Sequence, residues 1–231
     1  MHLTSIRINA NSFPVKDQYP FSLDVFQKTP EISLETPITF FAGENGSGKS
    51  TLIRALAHRC GIHIWKGPER TRFRFNPLEE ELYSCIDVHW SDQAVPGSFF
   101  SAEYFYDFSS LIDEWAHEDP GVLNYYGSKP FMTQSHGQSH MSYFENRYII
   151  KGLYLLDEPE NALSPTTQLK LLHLLQRMSI DGHAQFIIAT HSPILLSCEN
   201  ASIYSFDHVP LRKVPYEETE HYLVYRSLFK K

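Results

Sequence analysis

Short apolar runs, closed off by turn residues, alternate with stretches of helical periodicity along most of the chain. Leu3–Ile8 and Phe21–Phe26 read as opening strands, with Pro14 and Pro20 in the loop between them. Ile38-Thr39-Phe40-Phe41 is a near-continuous apolar run of the kind a strand buried on both faces needs. The glycine-rich segment Gly43–Ser50 follows at once. Beyond it, Leu52, Ile53, Leu56 and Ala57 fall on one face of a helix over Thr51–Cys60. Ser84–Trp90 has partial strand character, and a helix is expected around Ser109–Glu118, ended by Pro120. Gly127–His140 is rich in Gly, Ser, Gln and His and reads as a loop entering a helix near Met141–Arg147.

The pattern sharpens after Tyr148. Gly152-Leu153-Tyr154-Leu155-Leu156 is an interior strand ending at Asp157-Glu158. Ser164 can cap a helix that begins at Pro165, with Leu169, Leu171, Leu172, Leu174 and Leu175 on its buried face and Gly182 beyond its end. Phe186–Thr190 is the next interior strand and runs directly into His191. Ala201–Phe206 is a further strand, and the polar tail Glu217–Lys231 is a candidate helix. Apolar strands alternating with helices predict an α/β fold with a mainly parallel sheet covered on both faces. There is no internal repeat and no heptad run long enough for a coiled-coil arm.

The chain has 231 residues, of which 42% are hydrophobic and 20% charged, enough for one large core with at most a small subdomain. Thirteen Tyr and 16 Phe predict an aromatic-rich core. A net charge of -7 argues against a uniformly basic nucleic-acid surface, though not against a local patch. Trp65–Pro77 is such a patch, interleaving Lys66, Arg70, Arg72 and Arg74 with Phe73 and Phe75. It reads equally as a solvated loop that offsets the acidic remainder. Cys60, Cys85 and Cys198 form no CxxC pair, so free thiols in a reducing compartment are expected. With no basic-then-apolar leader and no apolar run of spanning length, the expected location is cytoplasmic, without a membrane.

The chemistry concentrates in two places. A loop that wraps a polyphosphate turns its backbone N–H groups inward, which side chains would obstruct and non-glycine dihedrals would forbid. Gly43, Gly46 and Gly48 meet that need, with Glu44, Asn45, Ser47 and Thr51 completing the cradle. Lys49 can reach the β- and γ-phosphates of ATP, and the Ser50 hydroxyl can ligate Mg²⁺. At the far strand end Asp157 can hold the same Mg²⁺ and Glu158 can polarise the attacking water. His191, at an equivalent strand end, can bond the γ-phosphate or orient that water, the alternative being a loop or capping histidine. His58, Cys60 and His63 are loosely spaced and lack a second cluster to complete a metal site. His136 and His140 read as surface loop residues.

These segments together resemble the ABC-type ATPase superfamily, and within it the small membrane-free proteins described as AAA-family ATPases of the SMC/Rad50/RecF-like group. The resemblance implies a P-loop NTPase fold whose mainly parallel sheet is flanked by helices, with an antiparallel N-terminal portion and a small inserted subdomain. On that reading residues 1–231 are a single ATPase domain, with 65–147 an inserted lid or helical segment. It further implies that Ser135-His136-Gly137-Gln138 is the signature loop. Ser135, Gly137 and Gln138 would then reach the γ-phosphate held by a second copy. His136 stands where that loop usually has its first glycine, and the D-loop would fall at Asn161–Ser164. Gln93 and Glu103 are both candidates for the glutamine-loop position. The implied assembly is a head-to-tail ATP-dependent homodimer with two composite sites.

The work done by ATP is open among three expectations. One is coupling to a protein effector or nucleic acid in DNA maintenance or phage defence. The second is the nucleotide-binding subunit of a transporter. The third is a module that uses ATP only to dimerise.

Overall fold

A computed structural model describes residues 1–66 and 76–229. Two sheets build it, and the sequence pattern explains both. Strands β1 (Leu3–Ile8), β2 (Glu31–Ser33) and β4 (Ile86–Trp90) form an antiparallel sheet in the order β2-β1-β4. Strands β3 (Ile38–Ala42), β5 (Gly97–Ser101), β6 (Gly152–Asp157), β7 (Ala184–Ala189), β8 (Ser202–Ser205) and β9 (Arg212–Val214) form the second. Its order is β5-β6-β7-β3-β8-β9, parallel except for β9 against β8.

The parallel strands are apolar throughout because each faces two cores. Along β6, Leu153 and Leu155 point into one core while Tyr154 and Leu156 point into the other. Along β7, Ile187 and Ala189 take the first side, and Phe186 and Ile188 the second. The first core is closed by the antiparallel sheet and by helix α2 (Lys49–Arg59), which contributes Leu52, Ile53 and Leu56. The second is closed by α3 (Phe105–Glu118), α4 (His136–Arg147), α5 (Pro165–Met178) and the short α6 (Pro193–Leu196). The aromatic surplus sits mostly there. Phe100, Phe105, Phe108, Tyr143, Phe144 and Tyr148 form a chain of edge-on, tilted and stacked contacts.

One buried amide ties the two sheets together. The fully buried Gln185 of β7 accepts from the backbone N–H of His2 and of Leu3 at 2.8 and 2.7 Å. It also donates to the Leu3 carbonyl at 2.8 Å. The edge of β1 therefore leans on the middle of the parallel sheet through a side chain rather than a strand ladder.

Two elements differ from the sequence-based expectation. Phe21–Phe26 is not a strand: a turn leads into helix α1 (Asp24–Lys28). Phe21, Val25 and Phe26 are buried at helix-like spacing, and the Gln27 amide bonds back to the Phe21 carbonyl at 2.7 Å. Helix α4 starts at His136, five residues before Met141, because the Gln138 side chain accepts from Ser135 N and Ser135 Oγ at 3.1 and 2.9 Å. A polar first turn with one glycine looks like loop when only apolar periodicity is read. Of the segment 65–147, β4 and β5 lie within the two sheets, and the helical remainder, 105–147, packs over the second core.

Candidate functional site

Register brings the chemistry together. Ala189 of β7 is paired with Asp157 of β6 on one side and with Phe41 of β3 on the other. The segments leaving these strands therefore emerge at one level of the sheet. They are the glycine-rich loop after β3, Asp157-Glu158 after β6, and His191 after β7. Such carboxyl-end crevices are where open parallel sheets bind ligands.

Within the loop Gly43, Gly46 and Gly48 have φ of +146°, +76° and +106°, a region that strains other residues. Gly48 also has no room for a side chain, since a Cβ there would lie 2.9 Å from the Phe26 ring. Lys49 is 4% exposed, and its ammonium donates to the carbonyls of Gly43 and Glu44, both at 2.7 Å. Burial lowers its pKa, opposed by the nearby charges of Asp207, Glu158, Asp157 and Glu44. Its third proton meets Ser47 Oγ at only 3.5 Å, a long contact that an incoming oxygen can replace. Glu44 N is occupied by Asp207 Oδ1 at 2.8 Å, while Asn45 and Ser47 complete the turn. Thr51, in the first turn of α2, has its hydroxyl 2.6 Å from the Tyr19 hydroxyl.

Ser50 Oγ donates to Asp157 Oδ1 at 2.7 Å, across 107 residues of sequence. Asp157 is 6% exposed, and burial pushes its carboxyl up to about 6 despite the Ser50 bond and Arg54. Glu158 and Glu103 add to that push. A buried carboxylate beside a hydroxyl, with acidic neighbours, is a hard oxygen-donor set short of positive charge, which suits Mg²⁺. Arg54 is braced by Tyr104, whose hydroxyl accepts from Nη1 at 3.1 Å. Ser50, Arg54, Glu103, His140, Asp157 and Glu158 line one cleft of about 410 Å³.

Glu158 is held from three sides. Its backbone N–H bonds Ala189 O at 2.9 Å, its φ is +50°, and Asn161 Nδ2 donates to its Oε2 at 2.8 Å. The other oxygen, Oε1, faces His191 Nε2 at 3.7 Å. His191 Nδ1 lies 3.4 Å from Nε2 of His221, and the His191 backbone N–H donates to Glu160 Oε1 at 2.6 Å. Burial lowers the pKa of His191, and Lys49 lowers it further.

Ser135, Gly137 and Gln138 lie elsewhere. With Ala162, Ser164, Thr167 and Lys170 they line a second groove of about 560 Å³ between the starts of α4 and α5. Only His136 and Ala162 border both this groove and the cleft. The Gly137 Cα packs so closely that a Cβ would stand 3.2 Å from Ala162 O. Of the two glutamine-loop candidates, Glu103 borders the cleft, whereas Gln93 is exposed in the turn before β5. His140 is not a surface loop residue. It is 4% exposed, packed edge-on to Phe100 and Phe105, and burial drives its pKa down to about 4. Lys66 pairs with Glu80, while residues 67–75 of the basic-aromatic patch lie outside the described residues.

Sequence reasoning passed over Asp207, Arg54 and His221. Asp207 follows β8, a neighbour of β3, so the strand-end rule that selected Asp157 and His191 could also have selected it. Nothing local marks His221, which arrives from α7 (Glu220–Phe229).

Two family models match the chain. Residues 22–60 fit one described as "AAA domain", and residues 140–197 fit one described as "AAA domain, putative AbiEii toxin, Type IV TA system". Solved structures with the same fold include cbiO1 of Clostridium perfringens, part of the ABC transporter complex cbiONQ. It is 16% identical, with a TM-score of 0.54 over 100% of this chain and 96% of that one. The chain thus has the fold of an ABC-type ATPase and matches AAA-domain models over two separate segments. A SmcHead bound to the C-winged helix domain of ScpA shares the fold at 13% identity and TM-score 0.50, over 80% of this chain and 92% of that one. A curated relative, the "Probable siderophore transport system ATP-binding protein YusV" of Bacillus subtilis (strain 168), is 24% identical over 188 residues. That match spans 74% of this chain and 68% of the relative. The matched family segments include Gly43–Thr51, Asp157, Glu158 and His191, and stop short of Ser135–Gln138. Among the described residues no helix is long and apolar enough to cross a membrane.

Proposed function

We propose that the chain binds ATP with Mg²⁺ at Gly43–Thr51 and hydrolyses it within a head-to-tail homodimer, coupling closure and opening to a partner. The observation that carries this reading is the 2.7 Å bond from Ser50 to Asp157 beside Glu158 and His191. It joins the phosphate loop to the acidic strand end. Backbone N–H groups of the loop and the N-terminus of α2 hold the β- and γ-phosphates, and the Lys49 ammonium donates a hydrogen bond to them. Ser50 and Asp157 would hold Mg²⁺, which would supply positive charge to offset that of the phosphates. Glu158, fixed by Asn161, accepts a hydrogen bond from a water in line with the γ-phosphorus. His191 lies where it can donate to the γ-phosphate or to that water.

Ser135, Gly137 and Gln138 line the groove bordered by Ala162 rather than this cleft, and that supports their use against the nucleotide of a second copy. Multiple-turnover ATP hydrolysis, compared between the wild type and Glu158→Gln, tests the reading. Turnover should collapse in the variant while fluorescent-ATP binding persists. Bound ATP with no turnover in either protein would overturn hydrolysis by this chain.

A role in DNA maintenance or phage defence draws on the Lys66–Phe75 patch and on the toxin–antitoxin wording of the matched family model. DNA affinity that falls steeply with salt would support it. The likeness to a siderophore transport ATP-binding protein favours a second reading, the ATP-binding subunit of a transporter. Co-purification with a membrane-spanning protein would discriminate in its favour. The third reading, a module that dimerises on ATP without turning it over, is the outcome in which dimers form but no phosphate is released.

A further inference from the structure

Helix α7 is almost wholly exposed after its first turn, with Leu223, Tyr225, Leu228 and Phe229 open to solvent. Its first turn is pinned. Thr219, 3% exposed, donates its hydroxyl proton to the Tyr216 carbonyl at 2.7 Å and accepts from Tyr222 N at 3.2 Å. Tyr222 packs edge-on to Tyr216 with centroids 5.0 Å apart. This anchoring delivers one side chain to the nucleotide cleft. His221 Nε2 stands 3.4 Å from His191 Nδ1, with the ring centroids 5.5 Å apart.

Proton placement on this pair is constrained from the other end. His191 Nε2 is buried without a hydrogen-bond partner and faces the Glu158 oxygen at 3.7 Å. A ring nitrogen facing a carboxylate or a phosphate is useful only with a proton on it. In a neutral ring Nδ1 must then be bare, and a bare Nδ1 needs a donor. Among the described residues, His221 is the group within reach of it.

We propose that His221 is a positioning residue for ATP hydrolysis: its Nε2–H donates to His191 Nδ1 and so holds the His191 proton on Nε2, aimed at Glu158 and the γ-phosphate. Without His221 the His191 ring is free to take the other tautomer, which presents a lone pair to two anionic groups and repels them. A hydrogen bond made at one ring nitrogen decides which nitrogen carries the proton, and a donor at Nδ1 leaves it on Nε2. The charged groups around the pair are Lys49 and Glu44 from the phosphate loop and α2, Glu158 after β6, Asp207 after β8, and Glu220 on α7 itself. Burial lowers the pKa of both rings, which keeps the pair neutral and makes the tautomer, rather than the charge, the variable.

The proposal rests on the ATPase reading, and the test separates the two. Ring-nitrogen NMR of the full chain reads the His191 tautomer without any turnover. The wild type should show His191 protonated at Nε2, and His221→Phe should shift it to a mixture. His221→Gln, whose amide reaches as far as Nε2 and can donate, should restore the wild-type tautomer. In hydrolysis assays His221→Phe should lower kcat about tenfold, with KM and fluorescent-ATP affinity unchanged and His221→Gln within about threefold of wild type. An unchanged His191 tautomer in His221→Phe overturns the proposal, whatever the turnover. Equal kcat losses in the Phe and Gln variants with an unaltered tautomer would mean that His221 only packs. A tautomer shift with no turnover in the wild type leaves the histidine pair standing and removes the hydrolytic reading.

Discussion

His140 offers a sharp test of how the cleft-side core is built. It is 4% exposed, with Phe105 and Phe100 edge-on at 4.5 and 5.2 Å and an Nδ1 that has no partner. Burial drives its folded pKa from 6.5 to about 4, with His136 adding to the effect. The sign follows from which state takes the proton first. Between these values the unfolded chain binds it and the folded chain does not. Stability is therefore full above about pH 6.5, is lost as pH falls towards 4, and changes no further below that. Between pH 7.5 and pH 5.0 this one residue should cost about 2 kcal/mol. Replacing it with Phe keeps an aromatic ring against Phe100 and Phe105 and removes the titration. Urea unfolding of both proteins at both pH values gives the comparison. The variant should lose about 2 kcal/mol less than the wild type on acidification, whatever its stability at pH 7.5. Equal losses would refute the argument. They would mean that Glu103, Asp157 or Glu158, which line the same cleft, reach the imidazolium and repay its desolvation.

Gln185→Leu removes one acceptor that serves two buried N–H groups and one donor that serves a buried carbonyl, so it should cost about 2–4 kcal/mol in urea unfolding. A loss below about 0.5 kcal/mol would mean that β1 is held by its own sheet alone. Asp157 gives the opposite pH dependence from His140. Its folded pKa, pushed up to about 6 from 3.8, means its contribution is fully present below the unfolded value and is lost as pH rises through about 6. Mg²⁺ should therefore raise Tm more at pH 7.5 than at pH 5.5, and Asp157→Asn should abolish that difference. An equal Mg²⁺ effect at both pH values would remove Asp157 from the ion's ligands.

The parallel sheet was legible because its strands are buried on both faces. Ile38–Phe41, Gly152–Leu156 and Phe186–Thr190 carry no polar face that could disguise them as helix. The glycine-rich loop was legible because its dihedral demands are local. What escaped depends on contacts between distant segments. Gln185 meets β1 across 182 residues, and neither segment carries any mark of the other. His221 is likewise one polar residue in a tail, important only because Thr219 and Tyr216 fix the turn before it. Phe21–Phe26 and the start of α4 were misread for a different reason. Both are short elements closed by side-chain bonds of Gln27 and Gln138, which the apolar pattern alone does not reveal.

The loop from Glu158 to Ser164 is where these separate readings meet. Two of its non-glycine residues, Glu158 and Ala162, have left-handed φ of +50° and +67°, a cost of about 1–3 kcal/mol each that the surrounding contacts must offset. At one end Asn161 grips the Glu158 carboxylate. At the other, Ala162 O packs against Gly137 at the mouth of the Ser135 groove, and Ser164 caps α5 through Thr167 N. Five residues thus span the distance between the carboxylate proposed to polarise water and the surface proposed to meet a second nucleotide. The left-handed positions, Glu158 and Ala162, bracket the three residues between them, and Asn161, which bonds the Glu158 carboxylate, directly precedes Ala162. The groove and the cleft therefore share this loop, with Ala162 bordering both.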